Sequence, residues 1–462
     1  MSIGLEARTF YQRLAVTEPR VDSSRLLAFK ILGDITTKDA YANLALLKHL
    51  QASQLPDKDA AFVTELINGL SRAMGTIDLI IEVAAKRSLS SLQPAVVNIL
   101  RLGAYQVLRM RVPPHAMSVM VNLAGHRLGQ RVRGLVNAIL RQVATKTWQS
   151  WLETITVDVD PLSDIALRLC HPRWIVQSYQ AVLPESEVET ALEANNQPPT
   201  PVLAVRPGLI EAADLASSCG GQLTAFSPWG VSLKGYPGQV PAVVSGQAGV
   251  QDEGSQLVVL AISRAVKSLP GPWLDLCAGP GGKSALLRGL ANDRFLLAAD
   301  SHQQRARLVA TSLKAFPQDQ HQIIVCDGQN PAWRNLTFSL VLVDVPCSGL
   351  GALRRRADAR WRHQEADLAG LVDLQVKLLD SALKAVCPGG IVAYVTCSPD
   401  KRETAEVVNQ VASRHKASLL SAPSFLAEVP DCVAATDPHF VQLWPHRHNT
   451  DAMFLSLIES AS

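Results

Sequence analysis

Apolar residues recur through the first third of the chain at the three-and-four spacing of an amphipathic helix. In DKDAAFVTELINGL, Val63, Leu66, Ile67 and Leu70 share one face, with Asp59 placed to cap the helix. LQPAVVNILRLGAYQVLRM repeats the pattern through Val96, Ile99, Leu100, Gly103 and Val107, until Pro113-Pro114 breaks it. RGLVNAILRQV adds a further stretch through Leu135, Ile139 and Leu140, and a compact helical bundle ending near Lys146 accounts for all three. The Pro-rich NNQPPTPVLAVRPG, from Asn195 to Gly208, then introduces a strand-like VLAV, a helix-like EAADLASSC and short strands around FSPWGVSLKGY, which read as a small α+β module. Beyond about Val240, the apolar runs PWLDLCA, FLLAAD, QIIVCD, FSLVLVDVP and GGIVAYVTCS alternate with helical patterns. Continuous apolar strands between helices predict an α/β domain with a doubly wound parallel sheet, covered on both faces. The expected divisions are 1–145, 146–240 and 241–462.

A chain of 462 residues, 47% hydrophobic and 18% charged, is expected to fold into two or three globular domains. The opening MSIGLEARTF has no apolar core of a signal peptide, and no apolar run reaches the roughly 18–20 residues of a membrane helix, so a cytoplasmic protein is expected. The eight cysteines form no C-x-x-C pair, which argues against zinc, and no metal site is expected. The net charge of +3 conceals an asymmetry: residues 1–150 hold 19 basic and 10 acidic residues. Residues 91–150 contain no acid but Arg101, Arg109, Arg111, Arg127, Arg131, Arg133, Arg141 and Lys146. Such a region suits a polyanion partner, or simply a solvated helical surface.

The first apolar strand of the last domain runs into Cys277-Ala278-Gly279-Pro280-Gly281-Gly282-Lys283-Ser284, followed by the helix-like ALLRGLA. Strand, glycine loop and helix bring a nucleotide against backbone amides at a helix N-terminus. A Walker A loop is excluded, because Cys277 stands where its first glycine is required. Asp300, Asp327 and Asp344 each end an apolar strand. A single strand-end Asp is as often a helix cap, but three face the crevice where such folds bind ligands. Asp300 is placed for the ribose hydroxyls of an adenosine moiety and Asp327 for its adenine edge.

Two strand ends carry thiols, in Asp344-Val345-Pro346-Cys347-Ser348-Gly349 and Thr396-Cys397-Ser398-Pro399. Neighbouring strands bring both into the same crevice. Cys326 and Cys387, within apolar strands, read as inert core residues.

Taken together, VQDEGSQL, LDLCAGPGGKS, DVPCSGLGALRRRADARW and YVTCSPDKRETAEVV strongly resemble the Sun/Fmu (RsmB-type) 16S rRNA cytosine-C5 methyltransferases. LRLGAYQVLRMRVPPHA and RGLVNAILRQ resemble that family's NusB-like domain. The resemblance covers nearly the whole chain. It implies an all-α NusB-like domain, a small RRM-like module and a seven-stranded, Rossmann-like class I methyltransferase sheet. It also implies S-adenosylmethionine as cofactor, bound by Cys277 to Lys283 with Asp300, Asp327 and Asp344. By resemblance, Cys397 is the nucleophile, Cys347 assists product release, and Lys283 reaches towards the target base. Carbon 5 of cytosine is a poor nucleophile, and a thiolate added at carbon 6 pushes electron density onto it. Asp344 is suited to bind the exocyclic amine or a protonated ring nitrogen. Arg354, Arg355 and Arg356 are expected at RNA phosphates beside the base, as are Arg131 and Arg133 in the basic region; a surface basic loop is the plainer alternative for the first three.

Gly279 and Val345 stand where the family usually has Ala, and HRHNTDAMFLSLIES has His and Asn where a glycine-rich turn is frequent. The expected partner is 16S rRNA and the expected state a monomer. The alternatives are the same chemistry on tRNA, or a non-catalytic RNA-binding or ribosome-assembly factor.

Overall fold

The computed structural model describes residues 22–38, 40–110, 112, 115–266 and 268–461. The chain divides into two compact units at His171. In the first, the described helices are α1 (Ser23–Thr37), α2 (Ala42–Gln51), α3 (Asp57–Ala85), α4 (Pro94–Leu108), α5 (His115–Leu128), α6 (Gln130–Val143), α7 (Trp148–Ile155) and α8 (Pro161–Arg168). The apolar stripe of α3 is buried from Val63 to Ile81, as its spacing requires. That helix begins at Asp57 behind Pro56, so Asp59 lies inside the first turn rather than at the cap. Gly103 on α4 is needed for packing: a Cβ there would come 2.7 Å from Leu140 Cδ1 on α6. Pro113 and Pro114, expected to break the second helix, lie outside the described residues. The unit runs past Thr145 because Trp151, Leu152 and Ile155 share its core, with Trp151 Nε1 donating to Val143 O at 2.8 Å.

The second unit opens with α9 (Arg173–Gln180) and α10 (Glu185–Ala194). A small antiparallel sheet follows, formed by β1 (Val202–Val205), β2 (Gln222–Leu223), β3 (Gly230–Ser232) and β4 (Ala248–Val250), in the order β2-β3-β1-β4. Helix α11 (Ala212–Cys219) lies between β1 and β2 in the chain. Strand β4 falls beyond the expected boundary near Val240, since three residues including Gly249 show no apolar run.

The large sheet contains β5 (Trp273–Asp275), β6 (Leu296–Asp300), β7 (His321–Val325), β8 (Phe338–Asp344), β9 (Val386–Thr396), β10 (Ser418–Leu420), β11 (Val433–Ala434), β12 (Asp437–Gln442) and β13 (Phe454–Glu459). Its order is β11-β12-β13-β9-β8-β5-β6-β7, with β10 alongside β13. Strands β5 to β9 pair in parallel, and β13 enters antiparallel to β9. All five apolar runs are therefore strands, in a sheet of nine rather than seven because β10 and β11 add short edges. Apolar cores cover both faces.

The order reverses at β5, whose neighbours are β6 on one side and β8 on the other. Helices following these strands leave in opposite directions, and a crevice opens at their C-terminal ends. The glycine loop after β5 runs into α12 (Gly282–Leu290), and the Cys347 and Cys397 loops follow the neighbouring strands β8 and β9.

Gly351 ties this rim together. Its N–H donates to Cys397 O at 2.7 Å, and its carbonyl accepts from Ala452 N at 2.8 Å. A Cβ there would collide with Ala452 O and stand 2.7 Å from Cys397 O, both of them backbone atoms. Gly351→Ala is therefore expected to destabilise the protein by about 1–3 kcal/mol. Denaturant unfolding checks this, and an unchanged midpoint would show that the rim has room to spare.

Candidate active site

A cleft of about 270 Å³ lies at the crevice, lined by the loop from Cys277 to Lys283 and by Gln251, Asp275, Asp344, Arg356 and Cys397. Gly281, at φ +103, is the N-cap of α12, and a Cβ on it would meet Val309 Cα at 2.8 Å. Gly279 lets a carboxylate approach: its N–H donates to Asp300 Oδ2 at 3.0 Å, and a Cβ there would lie 2.6 Å from that oxygen. An alanine at this position would require Asp300 and Arg305 to shift.

Asp300 is buried beneath the loop at the end of β6, and His302 N donates to its other oxygen at 2.9 Å. Asp327 stands apart. It is exposed beyond β7, and its carboxylate accepts from Gln329 N at 2.9 Å. That bond holds its pKa below the usual carboxylate value, and the residue does not line the cleft. Asp344 ends β8 and pairs with Lys283, Nζ to Oδ2 at 2.8 Å. Burial opposes the Lys283 charge, but Asp344 outweighs it and raises the ammonium above the ordinary lysine value.

The sulfurs of Cys347 and Cys397 lie 3.4 Å apart. At that separation ionisation of one thiol disfavours ionisation of the other, and their surroundings decide which ionises more readily. The Cys397 thiol is lowered by its bond to Cys347 and by Arg356 and Lys283, against its burial. Cys347 is raised well above the ordinary thiol value by the same bond, by burial and by the Glu403 carboxylate. The surroundings thus favour ionisation at Cys397 over Cys347. Cys326 and Cys387 are half-buried rather than in the core, because each lies at a strand margin.

Two carboxylates were not singled out by sequence. Glu403, fully buried, accepts from Ser348 N at 2.9 Å, from Ser348 Oγ and from Gln375 Nε2 at 3.0 Å, clamping the Cys347 loop. Asp275 ends β5 at 1% exposure; Ser284 Oγ donates to its Oδ2 at 2.5 Å, while Oδ1 has no partner. Burial, with Asp344 nearby, pushes Asp275 up to about 7. The strand-end rule applied to Asp300 would have found it.

The arginine run needs correction. Arg354 turns inward at 5% exposure, bonded to Asp252, Asp451 and Asn449, and is not available to a phosphate. Arg355 joins the same cage through Asp252 and Asp451. Arg356 alone of the three is exposed, and it lines the cleft. In the first unit, Arg131 and Arg133 are exposed on α6, whereas Arg101 pairs with Asp78 at 2.6 Å and Arg109 stacks over Trp148.

The loop, the buried acid at the end of β6 and the orphaned Asp275 oxygen fit a nucleoside cofactor carrying a positive group. Among the described residues, no three His, Cys, Asp or Glu side chains cluster to hold a metal, and no helix is long and apolar enough to cross a membrane.

Residues 268–459 match the family described as 16S rRNA methyltransferase RsmB/F, and residues 22–145 match the NusB family. The Mycobacterium tuberculosis (strain H37Rv) protein Rv1407, whose name carries only a provisional methyltransferase label, is 42% identical over 95% of this chain and 96% of its own length. The ribosomal RNA small subunit methyltransferase B of Salmonella agona is 31% identical over 80% of this chain and 85% of its own. The crystal structure of PH0851 shares the fold, with a TM-score of 0.77 at 21% identity over 94% of this chain and 97% of that one. A crevice holding two thiols and a glycine loop, on a sheet of this order and in a chain matching such relatives along most of its length, marks the protein as an RNA methyltransferase belonging to the RsmB/F family.

Proposed function

We propose that the protein methylates carbon 5 of a cytosine in 16S rRNA, through a covalent bond between Cys397 Sγ and carbon 6, with S-adenosylmethionine as methyl donor. The observation that carries this reading is the sulfur pair at 3.4 Å, with Arg356 and Lys283 on the Cys397 side and Glu403 on the Cys347 side. The target base is unstacked into the cleft, since its ring is out of reach within a helix. The Cys397 thiolate adds to carbon 6, and the ring electrons displaced towards carbon 5 make it nucleophilic. Asp344 keeps Oδ1 for the exocyclic amine or a protonated ring nitrogen while Lys283 holds Oδ2. When bound, S-adenosylmethionine supplies the electrophilic methyl group.

Release then requires loss of the carbon-5 proton and cleavage of the bond between carbon 6 and sulfur. The freed electron pair restores the ring double bond, and the other bonding pair leaves on Cys397 Sγ. Cys347, kept protonated, donates to that departing sulfur and makes it a better leaving group. Arg356 at the cleft and Arg131 and Arg133 on α6 are assigned to RNA phosphates; the α5–α6 groove, of about 410 Å³, carries Arg133 and Arg141 at its lining.

Methylation of purified 16S rRNA and tRNA tests the substrate, and incorporation into tRNA alone would overturn the rRNA assignment. Cys397→Ala is expected to abolish transfer. Cys347→Ala is expected to accumulate a protein–RNA adduct on a denaturing gel, and an adduct formed by Cys397→Ala instead would exchange the two roles. Without RNA, iodoacetamide at neutral pH should label Cys397 before Cys347, with Cys347 reacting only in alkali; mass spectrometry of the two peptides gives the order, and the reverse order contradicts the proton assignment. Replacing Arg131 and Arg133 by Ala should flatten the salt dependence of RNA binding by roughly one unit of logarithmic slope per contact. An unchanged slope would remove them from the interface.

A further inference from the structure

Beside the small antiparallel sheet lies a second pocket, of about 380 Å³, that the methylation chemistry does not use. Val202 on β1 and Leu223 on β2 give it apolar surface, and Leu223 is 59% exposed. Lys234, Glu253 and Asn449 give it charge and polarity. Each of these three has an atom left over. Glu253 is 6% exposed; its Oε1 accepts from Phe226 N at 2.7 Å and Ser227 N at 2.8 Å, while its Oε2 accepts from no group among the described residues. A buried carboxylate oxygen without a donor is costly, and a ligand that brings one removes that cost. Asn449 Oδ1 accepts from Arg354 Nη1 at 3.0 Å, which leaves Nδ2 as a free donor. At φ +56 glycine would turn the chain equally well, so the amide is what asparagine adds there. Lys234 is exposed and pairs with no carboxylate among the described residues.

This pocket adjoins the reaction cleft. Asp252 lines the cleft, and Glu253, the next residue, lines the pocket. Arg354 bonds to Asp252 and Asp451 on the cleft wall and to Asn449 on the pocket wall, so one buried side chain joins the two. An RNA strand with one base unstacked into the cleft has its neighbouring nucleotides at the cleft's edge, and their bases have lost a stacking partner. A carboxylate at the pocket excludes a bare phosphate there, whereas an acceptor and a donor lining one cavity suit the edge of a base.

We propose that the pocket takes the base of a nucleotide flanking the target and selects cytosine or adenine. Their exocyclic amine donates to Glu253 Oε2, the ring nitrogen beside it accepts from Asn449 Nδ2, and Lys234 meets a phosphate of the same strand. Uracil presents the reverse pattern, a carbonyl in place of the amine and an N–H in place of the ring acceptor. This rests on the target being an RNA base unstacked into the cleft.

Fluorescence anisotropy of the full chain with RNA octamers of cytidine and of uridine tests it. The reaction cleft is the same in every variant, so a change in the ratio of the two dissociation constants reports the pocket. The unaltered protein should prefer the cytidine octamer. Glu253→Gln keeps a carbonyl oxygen for Phe226 N and Ser227 N and puts a donor where Oε2 stood; the preference should fall by about fivefold or more. Asn449→Gly keeps the turn and should weaken the cytidine octamer by about threefold or more, leaving the uridine octamer within about twofold. Lys234→Ala should weaken both octamers alike and reduce the logarithmic salt slope by roughly 0.7. Equal weakening of both octamers by Glu253→Gln and Asn449→Gly overturns the proposal in favour of a structural role. If the unaltered protein methylates 16S rRNA and both variants keep its preference, the pocket alone is refuted. If it neither binds nor methylates RNA, the reaction assignment fails, and the pocket with it.

Discussion

Two thiols 3.4 Å apart cannot both ionise, and the structure around them decides which one does. Everything proposed for the reaction depends on Cys397 ionising more readily than Cys347. The pairing of β8 with β9 puts Asp344 opposite Val395, so the loops carrying Cys347 and Cys397 leave the sheet side by side. Gly351 joins the second loop to the first through a backbone bond, and Glu403 holds Ser348 from behind. The bond to Cys397 and burial raise the Cys347 thiol most, and the carboxylate that fixes its loop adds to them.

The residues gathered at the cleft were legible in the sequence because strand ends expose them. Cys347, Cys397 and Asp344 are polar or reactive residues just where an apolar run stops, Lys283 follows the glycine loop after another such run, and a parallel sheet gathers such ends on one rim. Less could be read where a side chain's partner comes from a distant part of the chain. Arg354 sits in an arginine run that looks like a phosphate clamp, but Asp252 and Asp451, about a hundred residues to either side, turn it into an internal strut. The role of Glu403 was hidden in the same way, since its partners Ser348 and Gln375 lie in other segments.

The fold shows a similar division. The long stripe of α3 and the five apolar strands were evident from periodicity, because burial imposes it directly. Strand β4 and the edges β10 and β11 are two or three residues long, and hydrogen bonding to neighbours defines them rather than any pattern of their own. The bundle continues to His171 because Trp151 packs back into its core, a long-range contact no local signal announces. Asp327 illustrates the limit of the strand-end rule: its carboxylate is satisfied by its own turn, as a residue of that type often is.

The central claim is that Cys397, and not its neighbour, bonds to the base. RNA containing 5-fluorocytidine tests this most directly, because fluorine at carbon 5 cannot leave as a proton does, and the adduct is trapped after methyl transfer. Digestion of the trapped complex and mass spectrometry then identify the modified peptide. The account predicts a nucleotide on the peptide containing Cys397 and none on that containing Cys347. A nucleotide on Cys347, or full turnover with no trapped complex, would contradict it.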